Sequence, residues 1–259
     1  MRILLANDDG IDAKGILTLL DVLKDDYEVY IAAPHRQRSA YSHSVTYFTR
    51  HRNAWKRKLE GAVEAWAIDA TPADCVYYGC FAFMKEMPDL IITGINQGEN
   101  LSTDCVYSGT IGAASEGSII GIPSIAASLC SYDSQEFETA AEAIRVLIPY
   151  YMRDPHRHEY MLNVNVPAIS KEQIKGYKIT KTEGDRNYEK PVEVRLQKDG
   201  SYLLVCDNVP MVTENLLNQI DGDVTAVKNG YISITPMDND ITHHEEIDNM
   251  KEYEKIPLE

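Results

Sequence analysis

The chain has 259 residues, 44% of them hydrophobic, which is enough to bury one large α/β core and argues against disorder. A formal net charge of -15 excludes a general nucleic-acid or anionic-membrane binder, because such affinity rests on a basic surface. It leaves room for a small phosphorylated substrate, since a bound cation can invert the local sign.

Cys75, Cys80, Cys105, Cys130 and Cys206 are scattered without a C-x-x-C pair and read as reduced core thiols. The start, Met1-Arg2-Ile3-Leu4-Leu5-Ala6, lacks the regions of a signal peptide, and no apolar run approaches the ~20 residues that span a bilayer. The expected compartment is the cytoplasm, with no membrane contact.

In chain order, Ile3 to Ala6 is an uninterrupted apolar run, the mark of a strand covered on both faces, and it stops at Asn7-Asp8-Asp9-Gly10. Ile16, Leu19, Leu20 and Leu23 then fall at helical spacing, and Glu28 to Ala33 forms a second strand ending at Pro34. Val45 to Phe48 and Val63 to Ile68 are strand-like runs around the basic residues Arg50, Arg52, Lys56, Arg57 and Lys58, which predicts a protruding hairpin over about 45–68. Thr71-Pro72-Ala73-Asp74 carries the residues of a capped helix start, predicting a helix through Met84.

The pattern repeats with a strand at Asp89 to Thr93, a helix from Thr110 to Ile120, a strand at Ser124 to Ala127, a helix marked by Phe137, Ala140, Ala141, Ile144 and Ile148, and a strand at Tyr160 to Val166. The expected fold is α/β: a three-layer Rossmann-like core with a mainly parallel sheet over 1–170, ligands binding at the strands' carboxyl ends. Beyond it, Val192 to Leu196 and Ser201 to Val205 flank Lys198-Asp199-Gly200 as a second hairpin, and Tyr231 to Pro236 is a last strand. Residues 171–259 are therefore expected to form a β-rich, antiparallel extension of a single domain.

Two aspartates at a strand end repel each other unless a cation or proton compensates. Taken alone, Asn7-Asp8-Asp9-Gly10 reads first as a β–α turn with capping acids, and a metal site is the functional alternative. Thr93-Gly94-Ile95-Asn96-Gln97-Gly98-Glu99-Asn100 follows another strand, and Asn96 could give a neutral oxygen ligand. Tyr107-Ser108-Gly109-Thr110 opens a helix through small residues, a start suited to phosphate, without matching a P-loop. Ser39, in Pro34-His35-Arg36-Gln37-Arg38-Ser39, could complete an oxygen-rich shell; no G-x-S-x-G elbow supports it as a nucleophile. His35 and His43 stay open as supporting groups, and His156, His158, His243 and His244 read as surface residues, so no zinc is assigned.

Asn7-Asp8-Asp9-Gly10, Ala33-Pro34 with Gln37-Arg38-Ser39, Gly94-Ile95-Asn96-Gln97-Gly98-Glu99-Asn100, and Tyr107-Ser108-Gly109-Thr110 with Ala113-Ala114-Ser115-Glu116-Gly117 together resemble the SurE family of survival-protein nucleotidases. Thr71 to Val76, Asn163-Val164-Asn165-Val166-Pro167 and Asp223 through Pro236 extend the likeness. The resemblance implies hydrolysis of nucleoside 5'- and 3'-monophosphates. It implies one divalent ion per subunit, Mg2+ or Mn2+, on Asp8, Asp9, Ser39 and Asn96. Asn7, Asn96, Ser108, Gly109 and Thr110 would lie by the phosphate, with Asp8, Asp9 and Asn7 as catalytic residues. It further implies a homodimer or homotetramer that exchanges C-terminal segments. The chain departs from the family at Ser102, where glycine is common, and at Tyr41-Ser42-His43. A broader phosphatase or exopolyphosphatase and a non-catalytic nucleotide- and metal-binding regulator are the alternative functions.

Overall fold

The computed structural model describes residues 1–48, 51–184, 186–187, 192–205, 211–212 and 221–256. Its elements are β1 (Arg2–Ala6), α1 (Lys14–Leu23), β2 (Glu28–Pro34), β3 (Ala54–Arg57), β4 (Ala62–Ile68), α2 (Pro72–Tyr78), β5 (Leu90–Gln97), α3 (Gly109–Ile119), β6 (Ser124–Cys130), α4 (Glu138–Tyr151), β7 (Met161–Pro167) and β8 (Tyr177–Ile179). There follow β9 (Arg186–Asn187), β10 (Glu193–Leu196), β11 (Tyr202–Val205), β12 (Met211–Val212), α5 (Asp223–Lys228) and β13 (Ile232–Met237). The calls on Arg50 and Cys206 lie outside the described residues.

A nine-stranded sheet runs in the order β3-β4-β2-β1-β5-β6-β7-β13-β8. The six strands from β4 to β7 are mutually parallel, as the buried apolar runs predict. From β1 the chain builds outward to β2 and β4 on one side, then returns to build β5, β6 and β7 on the other. The order therefore reverses between β1 and β5, and a parallel sheet opens a crevice at such a point.

The period-two alternation of β1 explains why its run is apolar throughout. Ile3 and Leu5 face a layer containing Ile16, Leu19 and Leu23 of α1 and Ile144 and Ile148 of α4. Leu4 and Ala6 face Cys75 and Val76 of α2 and Ala113 of α3. Each buried Leu or Ile contributes about 1.5–3 kcal/mol relative to exposure, so the two layers on either face of one sheet supply most of the drive to fold.

The hairpin differs from its expected position. Its arms are β3 and β4, paired antiparallel from Ala54 opposite Ile68 to Arg57 opposite Ala65, so Lys56 and Arg57 lie in a strand. Val45 to Phe48 is not a strand. The N–H groups of Thr46 and Tyr47 donate to the Asp74 carboxylate at 2.7 and 3.3 Å, and a side-chain acceptor has replaced the ladder their β-propensity suggested. Asp74 also completes the expected capping box, with Thr71 Oγ1 accepting from Asp74 N at 3.1 Å. The helix it opens reaches Met84 as expected but changes winding, α-helical from Pro72 to Tyr78 and π-helical over Gly79–Phe83, with Met84 as its C-cap.

Past β7 the expectation of antiparallel structure holds in part. β13 pairs antiparallel with β7 and β10 with β11, but β8 joins β13 in parallel, so β13 and β8 prolong the main sheet. Among the described residues no helix is long and apolar enough to cross a membrane.

Gly15 shows how closely α1 is seated on the sheet, because a Cβ there would overlap the carbonyl oxygen of Ile95. Gly15→Ala is expected to cost about 1–3 kcal/mol through the forced backbone shift. Urea denaturation should show it as a lower midpoint at unchanged slope, and an unchanged midpoint would contradict this seating of α1 against β5.

Candidate active site

β1 delivers the chain to the crevice, and Asn7 turns it. The Asn7 amide donates to the carbonyl of Gly10 at 2.8 Å, and its oxygen accepts from the Gly10 N–H at 3.1 Å. Gly10 lies at φ +106°, a conformation that favours glycine, so the turn closes with Asp8 and Asp9 inside it. The Asp8 carbonyl accepts from the Arg38 N–H at 2.6 Å, which ties this turn to the segment leaving β2.

The two carboxylates have different neighbours. Asp8, only 3% exposed, accepts the Thr110 hydroxyl at 2.6 Å and the Thr110 N–H as well. A Cβ on Gly109 would stand 3.0 Å from Asp8 Oδ2, so α3 comes this near the carboxylate because its first residue is glycine. Asp9 accepts the Gln97 N–H at 3.2 Å and the Gln37 side-chain amide. Burial, and then the charge of Asp9, pushes Asp8 up to about 6 despite the Thr110 donors. Burial raises Asp9 too, against the opposing bonds from Gln97 and Gln37. Two carboxylates held above their ordinary range in one turn form a place where a cation gains what protons otherwise supply.

Asp8, Ser39, Asn96 and Ser108 line one open cleft of about 160 Å3. The Ser39 hydroxyl accepts from the Gln37 amide at 3.1 Å. Asn96 donates its amide nitrogen to the Gly98 carbonyl at 2.9 Å, which leaves Oδ1 as the end suited to an ion. Ser108 caps α3 by accepting the Ile111 N–H at 3.1 Å. Asn7 and Thr110 are wholly buried behind the cleft, engaged with Gly10 and Asp8. His35 lies tilted against the Trp55 ring and beside Asp69, and His43 is bonded to Glu116 at 2.8 Å.

Sequence reasoning counted Asn100, Asn163, Asn165 and Asp223 in the family likeness but gave them no role in holding the loop around this cleft. The Asn100 carbonyl accepts from Asn163 at 2.8 Å and Asn165 at 3.0 Å, while its own side chain donates to Ser128 at 2.8 Å. The signal was present: Asn163 and Asn165 are polar residues two apart in a strand with no exposed face. Asp223, 121 residues further along the chain, accepts the Ser102 N–H at 2.9 Å. Glu99, Asp104, Tyr107 and Tyr132 complete the cleft wall.

Among the described residues no group of three or more His, Cys, Asp or Glu side chains is placed to hold a metal. Asp8, Ser39 and Asn96 at this cleft, with Asp9 next to Asp8 in the turn, make a mixed set instead, two carboxylates with an amide and a hydroxyl oxygen. All-oxygen donors of that kind fit a hard octahedral ion such as Mg2+ or Mn2+ and do not suit zinc.

The family model described as survival protein SurE matches residues 3–190. A 5'-nucleotidase SurE from Nostoc sp. (strain PCC 7120 / SAG 25.82 / UTEX 2576) is 39% identical over 266 residues, covering 100% of both chains. One from Pelotomaculum thermopropionicum is 41% identical, covering 97% of this chain and 94% of the relative. The crystal structure of SurE protein from Aquifex aeolicus superposes with a TM-score of 0.83 at 35% identity, covering 98% of this chain and 100% of that one. With the reversal of strand order between β1 and β5 and the acidic turn at its mouth, these matches establish that the chain belongs to the SurE family.

Proposed function

We propose that the chain is a divalent-metal-dependent phosphomonoesterase that hydrolyses nucleoside 5'- and 3'-monophosphates to nucleoside and phosphate. The observation that carries this reading is the buried Asp8 carboxyl, pushed up to about 6 yet fixed by Thr110 at the mouth of an oxygen-lined cleft. The relatives named 5'-nucleotidase SurE supply the substrate class.

Asp8, Asp9, Ser39 and Asn96 would hold one Mg2+ or Mn2+ per subunit. When bound, the ion supplies Lewis-acid polarisation of the phosphoryl group and a more acidic water. Ser108 and the Gly109 N–H, at the start of α3, take phosphate oxygens at the positive end of the helix. Thr110 and Asn7 act one step removed, the first by orienting Asp8 and the second by closing the turn. Glu99 and Asp104 in the cleft wall weigh against a polyphosphate chain, whose further charges they would repel.

A homodimer or homotetramer, joined through the C-terminal segments, is supported by the β10–β11 hairpin. Val194 opposite Leu204 and Leu196 opposite Tyr202 form one apolar face, with all four side chains 58–67% exposed. Cytoplasmic placement is supported by free Cys75, Cys80, Cys105 and Cys130; burial pushes Cys80 and Cys105 up to about 12 and the other two well up, so all four are poor nucleophiles.

Asp8→Asn and Asp9→Asn should each reduce Mn2+-dependent phosphate release from AMP by at least about a hundredfold, since each deletes a charge the cation needs. Retained activity with full metal dependence in both would sink the assignment. Thr110→Val should weaken Mn2+ binding or turnover by about tenfold while Thr110→Ser preserves both, because only the hydroxyl is at stake. Titration of Mn2+ into the protein, read beside kcat and KM, tests this, and equal behaviour of the two variants would contradict it. Val194→Glu combined with Leu204→Glu should lower the mass seen by light scattering, and an unchanged mass would remove the hairpin from the interface.

A further inference from the structure

The cleft that holds Asp8, Ser39 and Asn96 has an aromatic wall for which phosphoester hydrolysis has no use. Tyr132 lies just after β6, lines that cleft, and is 60% exposed. A large ring left in water is common, but this one is seated deliberately. Gly98, at φ +110°, lies beneath it, and a Cβ there would come within 2.5 Å of one ring carbon and 3.0 Å of two others. The Gln97 side chain donates to the Tyr132 carbonyl at 2.6 Å, fixing the loop from the next strand over. The ring is thus held from the loop that supplies Asn96 and the Gln97 N–H bonded to Asp9.

We infer that Tyr132 is the stacking platform for the nucleobase, so that the cleft distinguishes nucleotides from other phosphomonoesters at this residue. The ring stands close beside Gly98 and is 60% exposed at the cleft, a surface suited to a flat, weakly hydrated partner. Among small phosphomonoesters a nucleotide carries such a partner, and stacking tolerates any base, because every base has a π-face. The inference rests on the nucleotidase reading and adds the residue that recognises the nucleoside half of the substrate.

The test uses the full-length chain with Mn2+, comparing AMP with ribose 5-phosphate, which keeps sugar and phosphate but has no base. Tyr132→Ala should lower kcat/KM for AMP by about tenfold or more, mainly through KM, and weaken inhibition by adenosine to a similar degree. Ribose 5-phosphate turnover should stay within about twofold, and Tyr132→Phe should match the unchanged protein on both substrates. Equal losses on AMP and ribose 5-phosphate in Tyr132→Ala, or an unaltered AMP rate, would overturn the stacking role alone. Failure of the unchanged protein to release phosphate from AMP would instead overturn the nucleotidase reading on which it rests.

Discussion

The site depends on keeping a carboxylate charged where burial works against the charge. Asp8 is almost completely enclosed and has a second acid beside it in sequence, and both facts raise its proton affinity. The neighbourhood answers with donors: the hydroxyl and N–H of Thr110, at the positive end of an 11-residue helix. These lower the cost without removing it, since the carboxyl still stands at about 6. A turn built this way is poor for stability on its own terms, and a cation, as proposed above, would make the two acids compatible. Gly109 follows from the same constraint, because any side chain there would crowd Asp8.

Sheet topology determines which groups meet at the cleft. Strand order reverses between β1 and β5, so the segments after these strands diverge to opposite faces and leave a crevice between them. Asp8 enters from β1 and Asn96 from the end of β5, with Ser39 arriving after the neighbouring β2. The C-terminal part of the chain also has a stake here. Asp223 holds Ser102, and Asn163 and Asn165 hold Asn100, so both ends of the loop before α3 are fixed by residues distant in sequence.

Much of this was legible in the sequence because a parallel sheet imposes its own signature. Strands such as β1, β5 and β6 are apolar without alternation since both faces are covered, and each ends in polar residues at the crevice. Asp8, Ser39 and Asn96 lie at or after strand ends and Ser108 opens a helix, and the structure brings all four to one cleft. What failed was legibility of side-chain partners. Val45 to Phe48 carries β-forming residues, but Asp74 takes its N–H groups from across the fold. Asn7 and Thr110 looked like phosphate contacts because they flank the right turn and helix start, and only three-dimensional structure reveals that their polar atoms face Gly10 and Asp8. Tyr132 carried no signal, since a tyrosine in a polar loop has no pattern until the glycine beneath it is seen.

Ser102, where the family resemblance implies glycine, illustrates how a side chain is accommodated at such a position. It sits at φ +55°, in the left-handed region where glycine is at ease and another residue costs about 1–2 kcal/mol. A glycine could accept the backbone geometry but would lack the hydroxyl, which here donates to the Gly184 carbonyl at 2.8 Å in a nearly sealed environment. A hydrogen bond of that kind contributes about 0.5–1.5 kcal/mol, close to the conformational cost. The N–H bond to Asp223 is available to either residue, so it holds the backbone in place whichever occupies the position. The substitution therefore preserves the loop's path into the cleft and adds one more tie between that loop and the segment around Gly184.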